Sequence, residues 1–181
     1  MKDYFEISLI DLQNATEWAI EFAEMALLIF EKKTITDDRA RKAIEGAREF
    51  SESGKRTNTL RKLSMDAYRA SREYNDPSVS MAANAASLTA ALAFTHPFRD
   101  IKQAEHILGP VVYSILATGI NNNDTENEKA KIEYAIDRAN DSVWKLLKEF
   151  PEHEYHEDRV KKLFYSLDKG IRTKYESINR M

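Results

Sequence analysis

Apolar side chains recur at alternating intervals of three and four residues along nearly the whole chain, the spacing of one helix face rather than the every-second-residue rhythm of a strand. Leu60, Leu63, Ala67, Ala70 and Tyr74 show it plainly, and Ile101, Ala104, Leu108, Val111 and Ile115 repeat it. Only five glycines and four prolines punctuate the sequence, so the helical stretches between them are long. The pattern predicts an all-α protein: a compact bundle of about seven helices, largely antiparallel to their neighbours, forming a single domain over residues 1–181.

The first helix is predicted from about Asp11 to Lys32. Glu17, Glu21, Glu24 and Glu31 make a narrow polar stripe, and Trp18, Phe22, Met25, Leu27, Ile29 and Phe30 spread over the rest, a distribution that demands cover on most sides. The second starts at the "TITDD" cap, carries Ala40, Ile44, Ala47 and Phe50 on one face, and stops at Gly54. The third ends at "NDP", where Asp76 can cap and Pro77 can open the fourth. That fourth helix, "SMAANAASLTAALAF", is short of bulky side chains, so neighbouring backbones can approach it closely, and it is expected at the centre. After the "THPFRD" break the fifth runs to "TGINNND". Thr125 with Glu128 makes a capping box for a sixth, which presents Ile132, Ile136, Ala139, Val143, Leu146 and Phe150 before Pro151. A seventh, from about Asp158 to Asn179, turns Val160, Leu163, Leu167, Ile171, Tyr175 and Ile178 inward.

Composition narrows the chemistry. The 27 basic and 30 acidic residues leave a net charge of −3, a mixed surface without the basic excess that nucleic-acid binding uses, so no nucleic acid is expected as partner. The absence of cysteine excludes disulfides, zinc-thiolate sites and thiol catalysis, and suits a reducing cytoplasm, the expected location. Acids interrupt the apolar residues of "MKDYFEISLIDLQ", which does not read as a signal peptide. Residues 77–98 carry no formal charge, but Ser80, Asn84, Ser87, Thr89 and many alanines make them a buried helix rather than a membrane span. No glycine-rich phosphate loop or nucleophile elbow is present, and no cofactor is expected.

Four histidines remain as candidate chemistry. His153 and His156, with Glu154 and Glu157, stand three apart beside Pro151, where a zincin helix needs histidines four apart, so no metal is expected. Glu149, Glu152, Glu154, Glu157 and Asp158 are instead a candidate partner-binding surface, their charge suiting the start of the last helix. His96 and His106 have no Ser, Cys or Asp at a triad spacing. Thr95 and His96 can satisfy carbonyls at the end of the fourth helix before Pro97 turns the chain. Pro110 frees the carbonyl of His106 and kinks the fifth helix there, leaving a polar spot in an apolar wall. A small ligand-binding protein or enzyme using His96 and His106 is therefore one alternative. A helical scaffold or homo-oligomer with its interface on the last two helices is another.

Charge spacing also predicts a hairpin register. Glu24 and Glu31 are seven apart on the first helix and Arg41 and Arg48 seven apart on the second, so each pair spans about 10.5 Å of rise. The short "KTITDD" connection favours an antiparallel hairpin, setting Glu31 opposite Arg41 and Glu24 opposite Arg48.

The stretch "WAIEFAEMALLIFEKKTITDDRARKAIEGAREFSESGK" resembles the opening of an immunity protein family of bacterial polymorphic toxin systems. A Trp, an Ala-Glu pair and a Phe-Glu pair there precede an acidic-Arg-x-Arg-x-Ala-Ile stretch, a further Arg and a Gly. The matching residues are Trp18, Ala23, Glu24, Phe30, Glu31, Asp38, Arg39, Arg41, Ala43, Ile44, Arg48 and Gly54. The similarity continues through "ASREYNDPSVSMAANAASLTAALAFTH" and "AEHILGPVVYSIL", covering about residues 11–118. It implies an all-helical, non-enzymatic protein that binds a cognate protein toxin. Trp18, Glu24, Glu31, Arg39, Arg41, Arg48, His96 and His106 then serve as structural family positions, and residues 119–181 add two helices to the same body.

Overall fold

Small side chains decide what lies in the middle of the molecule. The computed structural model describes residues 4–122 and 127–179. Among them the chain forms α1 (Leu9–Thr34), α2 (Arg39–Ser53), α3 (Asn58–Glu73), α4 (Pro77–Ala91), α5 (Ile101–Asn121), α6 (Glu128–Arg138), α7 (Asp141–Leu147) and α8 (Arg159–Asn179). α4 packs against α1, α2, α3 and α5 at once. Its Ala82, Ala83, Ala86 and Ala90 are buried, and side chains this small let four neighbours come close. The approach to α3 is close enough for Ser64 and Ser87 to donate reciprocally to each other's backbone carbonyls, at 3.0 and 2.9 Å. On the α5 side, a Cβ added to Gly109 would stand 2.6 Å from Leu88 Cδ1, so only glycine lets these two helices meet without displacing that side chain.

Local signals set most helix ends. Gly54 adopts φ 68°, and its N–H closes α2 on the Phe50 carbonyl at 2.8 Å. A side chain there would be strained, which is why glycine ends the helix. Asp76 caps α4 by accepting from the N–H groups of Ser78 and Val79, with Pro77 at the first helical position. Lys33 reaches across from the end of α1 to the same carboxylate at 2.9 Å. This hydrogen bond, followed by that of Ser78, holds Asp76 well below the usual carboxylate range. Tyr4 and Phe5 lie against the α4–α5 connection, Tyr4 bridging to Phe98 and the Phe5 N–H on the Pro97 carbonyl at 3.1 Å.

The predicted sixth helix is two helices, so the described residues hold eight rather than about seven. Ala139 turns extended, and the Asn140 side chain caps α7 through the Val143 N–H at 3.1 Å. Carbonyls freed by the break find donors on α8: Lys174 Nζ serves Ile136, Asp137 and Ala139, and the Tyr175 hydroxyl serves Ala139 at 2.7 Å. The Thr125 half of the predicted capping box lies outside the described residues.

α8 runs close to the predicted span and buries Leu163, Leu167, Ile171 and Tyr175, but Ile178 is half exposed rather than inward. The buried core extends from Leu12 in α1 to Tyr175 in α8. No described helix is long and apolar enough to cross a membrane.

Candidate functional site

α1 and α2 meet in the register their charges specify. Arg41 grips Glu31 with two parallel bonds of 2.7 and 2.8 Å, and Arg48 reaches Glu24 at 2.8 Å. Arg39 joins Asp37 to Glu73, tying the start of α2 to the end of α3, and the Tyr74 hydroxyl donates to Asp37 from the same side. Those contacts raise the Arg39 guanidinium pKa, chiefly through Asp37, and lower that of Asp37 against the opposing effect of burial. Trp18 is 3% exposed and donates its indole N–H to the Ala135 carbonyl at 3.2 Å, joining α1 to α6.

The two central histidines face different clefts. Just past α4 it is Thr95 that serves the Leu92 carbonyl, its backbone N–H donating at 3.1 Å and its hydroxyl at 2.8 Å. His96 holds the turn with its backbone N–H, which donates to Gln103 Oε1 at 2.7 Å, while its exposed imidazole stacks on Phe98 with ring centres 5.6 Å apart. It opens on a cleft with Arg56, Arg61 and Phe94. His106 lines another, of about 280 Å³, with Tyr68, Asn84, Lys102, Glu105 and Tyr113. α5 continues as a helix through Pro110.

Burial lowers the His106 pKa, and the neighbouring His96 adds to the effect. Its Nδ1 is buried without a hydrogen-bond partner among the described residues. Burial first, then Glu105, raises the Tyr113 hydroxyl. This cleft can offer hydrogen bonds to a polar group, and among the described residues that line it there is no Ser, Thr or Cys for His106 to activate.

The acidic segment is held from beneath by a network that the sequence spacing did not reveal. Asp168, 1% exposed, accepts from both the backbone N–H and Nδ1 of His153, at 2.8 and 2.9 Å. Its other oxygen takes Arg172 Nε at 2.6 Å, and the far end of that guanidinium donates to the Leu147 and Phe150 carbonyls. His153 also stacks on Phe164, ring centres 5.3 Å apart. Burial alone would raise the Asp168 carboxyl, but the donors of His153 and then Arg172 outweigh it and hold the carboxyl below its ordinary value. One signal was available: Asp168 and Arg172 stand four apart beside Leu167 and Ile171 of the apolar stripe, an odd place for two charges unless they pair.

Above this network Glu152, Glu154, Glu157 and Asp158 are exposed, while Glu149 is drawn back to Arg99 at 3.1 Å. Asp158 caps α8 through the Lys161 N–H, and the Tyr155 hydroxyl donates to Glu157. Among the described residues no three His, Cys, Asp or Glu side chains gather as a metal site.

The family described as "Imm-5 like putative immunity protein" matches residues 7–142. The match runs from before α1 into α7, further at both ends than the resemblance over about 11–118. It includes the hairpin pairs, His96 and His106, and leaves the acidic segment outside. Neither a curated protein nor a solved structure matches the chain.

Proposed function

The chain belongs to the Imm-5 like immunity protein family, and from that premise we propose that it is a non-enzymatic binding module that neutralises a cognate protein toxin by surface contact. The family match over residues 7–142 carries the reading. The geometry supports it, because the family-pattern charges are spent on ion pairs within the fold: Glu31 on Arg41, Glu24 on Arg48, and Arg39 on the neighbouring acids Asp37 and Glu73. We read them, with Trp18, His96 and His106, as framework residues of a single folded unit, and place the protein in the cytoplasm.

For the contact surface we propose the exposed acids Glu152, Glu154, Glu157 and Asp158, with Glu149 at their back. The His153–Asp168–Arg172 network orders this segment before any partner arrives, so little conformational entropy is lost on binding. Clustered negative charge steers a basic face toward it. A pull-down with the product of the adjacent gene tests the first claim. A tight one-to-one complex is expected, and failure of any toxin-class partner to bind would overturn the reading. Reversing Glu152, Glu154 and Glu157 together should slow association and flatten its dependence on salt. Binding that survives those reversals but is lost on reversing charges elsewhere would move the contact surface.

A further inference from the structure

A cleft of about 390 Å³ opens between α1, α5 and α6, within the roughly 300–1,000 Å³ common for ligand sites. Its walls are largely apolar, with Phe22 and Met25 from α1, Ile115 from α5 and Tyr134 from α6. Met25 and Tyr134 form partly exposed lips, 44% and 46% accessible. The hydroxyls around it have committed their protons. Ser114 donates to the Pro110 carbonyl at 2.7 Å, Thr118 to the Ser114 carbonyl at 3.0 Å, and Tyr134 to Glu21 at 2.9 Å.

Lys131 carries the one formal charge among the described residues that line the cleft. Its Nζ is buried and has no hydrogen-bond partner among the described residues. Among the described residues, Glu128, three positions before it on α6, pairs with Arg159, and Glu21 of α1 pairs with Arg138. A buried ammonium without a counter-charge is costly, and an anion held within the same apolar walls removes that cost. The cation is a single point charge without an arginine fork beside it, which suits one carboxylate better than a doubly charged phosphate.

We propose that this cleft binds an amphiphilic monocarboxylate, its apolar tail against Phe22, Met25, Ile115 and Tyr134 and its carboxylate on Lys131 Nζ. The site is separate from the acidic segment proposed as the toxin contact. Its test needs no toxin, so the two readings stand or fall independently.

Calorimetric titration of the full chain with decanoate and with decan-1-ol tests it. Decanoate should bind one-to-one, at least about tenfold more tightly than the alcohol, as expected of a charge-assisted hydrogen bond. Lys131→Met should abolish that preference while Lys131→Arg keeps it. Ala130→Trp, which places an indole in the cleft wall, should remove binding of both compounds. Equal affinity for acid and alcohol, or undiminished decanoate binding by Lys131→Met, would overturn the proposal.

Discussion

At the scale of single residues, the most consequential charge in the molecule is one that solvent does not reach. Asp168 stands between His153 and Arg172, and both partners are themselves over nine-tenths buried. Asp168→Asn leaves the Arg172 guanidinium without its counter-charge and is expected to cost about 3–5 kcal/mol at neutral pH. Because the fold lowers the Asp168 pKa, its contribution is present above the unfolded value of about 3.9 and is lost as pH falls through the lower native value. Urea unfolding of the two proteins should therefore differ fully at about pH 6 and begin to converge only below about pH 4, as pH falls toward the lowered native value. A gap that stayed constant over that range would mean that the carboxylate charge is not what holds the segment. The histidine was visible in the sequence, but its acid lies fifteen residues away on another element, beyond the reach of any local spacing rule.

At the scale of elements, the α1–α2 hairpin was legible because its geometry is nearly local. Two rows of charges with equal spacing, joined by a short turn, leave few registers open. The Glu31–Arg41 pair forms with good bidentate geometry, yet its side chains are 37% and 36% exposed, which places it with surface ion pairs. A double-mutant cycle on Glu31→Gln and Arg41→Met should give a coupling of about 0.2–1 kcal/mol that weakens in high salt. The single-bonded Glu24–Arg48 pair should couple less, and strictly additive losses in both cycles would refute the register. The α6–α7 break was not legible for the opposite reason. Apolar periodicity passes through Ala139 without interruption, and the donors that stabilise the break, Lys174 and Tyr175, belong to α8.

For the whole molecule, the family match ends inside α7, but the buried core does not. Leu146, Leu147, Phe150, Leu163, Leu167 and Ile171 belong to the same cluster as the residues of α1 and α5. A chain ended at residue 142 would uncover the face of α5 on which α8 packs, leaving an exposed apolar patch of the kind that drives association. It is expected to bind hydrophobic dye and to lose the cooperative thermal transition of the full chain. A cooperative transition at an unchanged midpoint would instead make α7 and α8 an addition to an independently stable unit.

What the sequence determined by itself is whatever depends on a few neighbouring residues. Helical periodicity, the Asp76–Pro77 start of α4, the Gly54 stop of α2 and the crowding of small side chains on α4 all act within one or two turns, so their consequences could be read in order along the chain. Tertiary structure decided which chemical groups meet. His96 and His106, ten residues apart and alike on paper, line different clefts because the turn that His96 helps to hold separates it from the wall of α5. His153 found Asp168, and Lys131 came to line an apolar cleft beside α1, only when distant helices packed. Burial and counter-charge are set by what stands around a group in space, and packing brings those neighbours from helices far apart in sequence.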